Sequence, residues 1–223
     1  MFTKIDHDVL APLVFKEGYP GYKPAVKEIP NGDGLVDSEK RYAHVAPKYL
    51  AGLSGPDHLV LDHLYRVATR FAKDVAEMAG VPAAFAPDER YGALRVLEYP
   101  PGAISNCHED FDLFTLMLYR DQPDRFVSHD KTIAADILHL ARKLTTIDKI
   151  RILNPQAHLG QLGEAFGLGK ATPHEVLASD TTQHSIVYFA IPDHDAVLPS
   201  GQTVREFLNE RMARSRTEFK EYI

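Results

Sequence analysis

The sequence predicts a mainly β domain, two packed sheets of short strands flanked by helices, and three observations predict it. Short apolar and β-branched runs, each closed by proline or glycine, fill the stretch from Leu94 to Pro192. Segments with helical spacing are confined to positions before, inside and after that stretch. The chain has 223 residues, 44% of them hydrophobic, which is enough to bury one substantial core. A single domain over 1–223 is expected, with an irregular wrap over 1–55, a β core over 91–192 and a terminal helix over 203–222.

In chain order, Gly18-Tyr19-Pro20-Gly21-Tyr22-Lys23-Pro24 and Asn31-Gly32-Asp33-Gly34 are turn chemistry, so the wrap reads as loops with a short edge strand at most. From Pro56, Leu59, Leu61, Leu64, Val67, Ala68, Phe71, Val75 and Met78 recur at helical spacing until Gly80 and Pro82 end the run. This N-terminal helix presents an apolar stripe to a sheet. Strands follow at Leu94–Tyr99, closed by Pro100-Pro101-Gly102, and at Phe111–Tyr119. Ile133, Ile137, Leu138, Ala141 and Leu144 share one face of an inserted helix. Strands resume at Lys149–Leu153, Val176–Ala178 and Ser185–Ile191, and Val204, Phe207, Leu208 and Met212 mark the C-terminal helix. Such a strand set suits a double-stranded β-helix, or jelly roll.

Composition narrows the function. A formal net charge of −6 supplies no basic field for nucleic acid or anionic lipid, and no apolar run is long enough to span a bilayer. The N-terminus lacks the pattern of a signal peptide, and the lone Cys107 cannot form an intrachain disulfide. A cytoplasmic enzyme acting on a small molecule is expected, with Cys107 a small buried thiol of no chemical role. The sequence sets no oligomeric state.

The chemistry sits in His108-Glu109-Asp110 and the distant His174. Two imidazoles and one carboxylate can hold a non-heme ferrous ion on one face, leaving positions open for oxygen and substrate. In an extended strand, residues i and i+2 point the same way, so His108 and Asp110 face one side while Glu109 turns away. A third donor then has to arrive from a strand packed opposite, where His174 falls in the order of elements.

The sequence around these residues resembles the isopenicillin N synthase-like superfamily of Fe(II) and 2-oxoglutarate-dependent oxygenases. The resemblance lies in the strand Leu94–Tyr99 ending in Tyr-Pro, the block from His108 through Leu116, the block from Asn154 through Phe166, and Gly169–Val176 around His174. It covers roughly residues 91–192. It implies His108, Asp110 and His174 as ligands of Fe(II), oxygen as a substrate and 2-oxoglutarate as cosubstrate, with Tyr99 and Ser185 near the latter. The expected reaction is oxidative decarboxylation of 2-oxoglutarate to succinate coupled to hydroxylation or a related C–H oxidation, with no catalytic residue beyond the metal site.

One position departs from the family. Where its members carry Arg-x-Ser on the strand after the distal histidine, this chain has Gln183-His184-Ser185. An amide can hydrogen-bond a carboxylate but cannot form the charge-assisted pair that a guanidinium forms. Arg95 and Arg151 are the substitute cations considered. The departure keeps open a 2-oxoglutarate-independent Fe(II) oxidase resembling isopenicillin N synthase. A third reading is a catalytically silent jelly-roll protein that only binds metal. Alternation puts His184 on the face opposite Gln183 and Ser185, which makes His174 the distal ligand.

Overall fold

Two sheets, one of six strands and one of three, organise the molecule. The computed structural model describes residues 7–15, 18–23, 41–53, 55–79, 94–110, 112, 114–129, 158–162, 173–198 and 200–210. The order is α1 (His7–Val14), β1 (Tyr22–Lys23), β2 (Arg41–Val45), α2 (Pro47–Leu50), α3 (Pro56–Ala79), β3 (Leu94–Tyr99), β4 (Ser105–His108), β5 (Phe114–Arg120), β6 (Phe126–Ser128), β7 (His158–Leu162), β8 (His174–Val176) and β9 (Gln183–Phe189). The large sheet runs β1-β2-β3-β9-β5-β7 and the small one β4-β8-β6, with every described pairing antiparallel. The chain is therefore mainly sheet with few helices, and strands adjacent in sequence repeatedly fall in different sheets.

The centre of the large sheet is buried on both faces, which explains why its strands read as near-continuous apolar runs. On one face, Leu94, Val96, Ile186 and Tyr188 join Leu61, Leu64, Ala68, Ala72 and Ala76 of α3 in the main core. The alanines let the helix approach closely. On the other face, Leu97, Tyr99 and Val187 pack with Val176 of the small sheet. The hydroxyl of Tyr188 donates to Thr69 Oγ1 at 3.3 Å and fastens α3 to β9.

Turn chemistry sets the junction that feeds the site. Between β3 and β4, the Ala103 amide donates to Pro100 O at 2.9 Å, and Gly102, at φ +80°, takes the left-handed position that such a Pro-Gly turn demands. Gly21 is required for a different reason, because a Cβ there would collide with the carbonyl oxygen of His44.

Several expectations are corrected. The first 55 residues contain more than loops, since α1, α2 and β2 lie there and β2 is an inner strand between β1 and β3. Its signal was hidden because His44, a polar residue, is buried in it. Leu59, placed on the apolar stripe of α3, is 62% exposed at the start of the helix. β5 runs Phe114–Arg120 rather than Phe111–Tyr119. The C-terminal helix is described over 204–210 and begins with a capping box: Glu206 N donates to Thr203 Oγ1 while Thr203 N donates to Glu206 Oε2. The inserted helix near 133–144, the strand 149–153 and the rest of the terminal helix lie outside the described residues. Among the described residues no helix is long and apolar enough to cross a membrane.

Candidate metal site

The small sheet supplies both imidazoles. β4 ends at His108 and β8 begins at His174, and these two residues are direct partners in the antiparallel register. Partners across a ladder project to the same face, so the rings emerge side by side with their centroids 4.3 Å apart. Asp110 follows two residues after His108 and returns beneath them. His108 Nε2 lies 3.7 Å from Asp110 Oδ1, and His174 Nε2 lies 3.6 Å from Asp110 Oδ2. The three ligand atoms all fall within 4.8 Å of one another. These separations are too long for hydrogen bonds among the donors, and the donor set suits a divalent transition metal held from one side. The His174 side chain is 7% exposed, that of Asp110 14% and that of His108 43%, so the set opens toward solvent at His108.

The large sheet orients the carboxylate. Thr115 Oγ1 on β5 lies 2.6 Å from Asp110 Oδ2 and 2.9 Å from Asp112 Oδ2. A hydroxyl has one proton to give. Complete burial, and then the charge of Asp110, push the Asp112 carboxyl well above its ordinary range. Burial thus favours the protonated form of Asp112, in which it can donate to Thr115 and leave the Thr115 proton for Asp110. The contact from Thr115 fixes the direction of the Asp110 carboxylate, as a ligand to a metal would require.

The remaining residues expected near the site lie on the inner face of the large sheet. The register sets Tyr99 opposite Gln183, Leu97 opposite Ser185 and Arg95 opposite Val187. The Arg95 guanidinium lies over the rings of Phe189 and Tyr42, at 4.8 and 5.7 Å. The Gln183 amide already has protein partners, because Nε2 donates to Leu177 O at 2.8 Å and Oε1 accepts from Arg120 Nη2 at 3.0 Å. The side chain thus bridges Arg120 and the Leu177 carbonyl. His184 faces the other way and binds Asp121 through Nδ1 at 2.8 Å. Cys107 is exposed rather than buried, and desolvation, Glu175 and Glu109 raise its thiol pKa and disfavour a reactive thiolate. Arg151 lies outside the described residues.

Sequence reasoning missed Arg120. Regular alternation along β5 from Thr115 and Met117, which pair with Phe189 and Val187, carries the inner face to residue 119 and turns residue 120 outward. A shift in register between Met117 and Tyr119 pairs Tyr119 with Ile186 and brings Arg120 opposite Ser185. One extra residue in the ladder changes which side chains share a face. The only sequence signal was a cation ending an apolar strand.

Against solved structures, a protein described as a "putative oxygenase" from Shewanella oneidensis superposes with a TM-score of 0.51 at 21% identity, covering 89% of this chain and 77% of the other. The likeness is one of fold. A structure of JOX2 in complex with 2OG, Fe and JA superposes with a TM-score of 0.50 at 16% identity, covering 86% of this chain but 64% of JOX2. No protein-family model and no curated protein matches the sequence, so the narrower isopenicillin N synthase-like label has no support from either.

Proposed function

We propose that this chain is a non-heme Fe(II) oxygenase that consumes 2-oxoglutarate and oxygen to hydroxylate, or otherwise oxidise at a C–H bond, a small molecule. The convergence of His108, Asp110 and His174 between two sheets carries the reading. The interleaved strand order supports a double-stranded β-helix core, and the oxygenase likeness supports the same architecture. Use of 2-oxoglutarate draws support from the 2OG and Fe bound in JOX2, a fold neighbour. The 2-oxoglutarate-independent oxidase is less favoured, because the glutamine that suggested it is occupied in holding a cation. A silent metal-binding protein is disfavoured by three ligand donors meeting beside a buried, polar interior.

When bound, the iron supplies oxygen activation, in which one oxygen atom enters succinate as carbon dioxide leaves and the other enters the substrate C–H bond. The protein's own part is legible. His108 and His174 would each offer a ring nitrogen and Asp110 a carboxylate oxygen, while the burial of Asp112 disfavours a second charge beside them. Leu97, Val187 and Val176 wall the interior against water.

The test is anaerobic titration of the full chain with Fe(II) and then 2-oxoglutarate. The expected result is one equivalent of iron, a visible charge-transfer band on adding the keto acid, and succinate on admitting oxygen. An absence of iron binding in the wild-type chain would defeat the proposal.

A further inference from the structure

We infer that Arg120, delivered from β5, grips the distal carboxylate of the dicarboxylate cosubstrate, with Ser185 as its hydrogen-bonding companion and Gln183 as the residue that positions it. The inference rests on the oxygenase reading above and deepens it.

Arg120 is buried to 3% exposure, and both of its described hydrogen-bond partners are neutral: Nε donates to Gln122 O at 3.1 Å, and Nη2 donates to Gln183 Oε1 at 3.0 Å. Burying a guanidinium without a paired anion is costly. Of its five N–H donors these two bonds use two. Directly across the ladder, Ser185 Oγ is buried and has no hydrogen-bond partner among the described residues. A buried cation beside an unsatisfied buried hydroxyl is the donor arrangement of a carboxylate site.

Position agrees with chemistry. The Arg120 guanidinium lies 5.3 Å from the centre of the Phe126 ring, which lies 5.6 Å from the ring of His174. A five-carbon acid with a carboxylate at each end can run along Phe126 from the metal donors to Arg120. A second cation on this face, Arg95, stands opposite Val187, two residues further along β9 from Ser185, and lies over two aromatic rings. Gln183 completes the arrangement. Its carbonyl takes one guanidinium N–H and its amide is tied to Leu177 O, so the fork is held in one orientation.

The test uses the Fe(II)-loaded full chain under anaerobic conditions and reads the charge-transfer band with two probes, 2-oxoglutarate and 2-oxobutyrate, which lacks the distal carboxylate. Wild type is expected to bind 2-oxoglutarate about 10- to 100-fold more tightly, the range for charge-assisted hydrogen bonds. Arg120→Gln removes that preference while leaving 2-oxobutyrate and iron affinity unchanged, and adding Gln183→Arg to it restores most of the preference. Arg95→Gln leaves the preference in place. Equal wild-type affinity for the two acids, or a folded Arg120→Gln variant that keeps the preference, overturns this inference alone. If Arg120→Gln does not fold, Ser185→Ala reads the same site: a several-fold loss of the preference is expected, and an unchanged preference overturns the inference. Iron-loaded wild type that gives no band with either acid overturns both this inference and the 2-oxoglutarate dependence on which it rests.

Discussion

Thr115 stands between two carboxyl groups, with its hydroxyl 2.6 Å from Asp110 and 2.9 Å from Asp112, and so couples a metal donor on the link after β4 to the large sheet. Removing that hydroxyl frees the donor to rotate. Thr115→Ala is expected to weaken Fe(II) affinity about 10-fold or more, in line with the loss of outer-shell partners elsewhere, while Thr115→Ser stays near wild type. Calorimetric titration checks both, and equal affinities for Ala and wild type would remove the orienting role.

Burial favours the protonated form of Asp112, and an amide there can donate in the same direction. Asp112→Asn is expected to keep iron affinity within a few-fold, whereas Asp110→Asn loses it. If Asp112→Asn instead binds iron as poorly as Asp110→Asn, Asp112 is ionised and the proton order is wrong.

The two histidines that compete for the distal role separate cleanly. His174→Ala is expected to abolish stoichiometric iron binding and His184→Ala to leave it intact, because His184 is engaged with Asp121 on the opposite face. Metal analysis after desalting reads the difference.

Alkaline stability follows from two buried phenols. Burial raises the pKa of Tyr19 and Tyr188 above the ordinary value of 10.0. Above pH 10 the unfolded chain therefore releases protons that the folded chain keeps, and stability falls as pH rises. Tyr188→Phe is expected to reduce the drop in melting temperature between pH 9 and pH 11. An unchanged drop would show that Tyr188 does not contribute to it.

On α3, Leu64→Ala is expected to cost about 2–5 kcal/mol by opening a cavity against the sheet, whereas exposed Leu59→Ala costs roughly 0.5 kcal/mol or less. Denaturant unfolding distinguishes them.

Much of this was legible because it depends on local pattern. The stripe from Leu61 to Ala76 and the strands Leu94–Tyr99 and Ser185–Phe189 announce themselves through periodicity, and His108 with Asp110 through a two-residue spacing that a strand end converts into convergence. What escaped depends on pairing. β2 carries a buried histidine and reads as polar, and the inward turn of Arg120 comes from a register shift against β9 that no residue of β5 encodes alone. Gln183 read as a missing charge; in the structure the charge sits one strand over.

The division of the site between the sheets has a mechanical consequence. The two imidazoles of the proposed metal site belong to β4 and β8, while Thr115, Arg120, Gln183 and Ser185 belong to the opposing sheet. A small slide of one layer over the other leaves every strand intact, and circular dichroism with it, yet separates Asp110 from Thr115 and the imidazoles from the guanidinium. On the proposed function, activity is then expected to be a gauge of interlayer alignment and to be lost before secondary structure is.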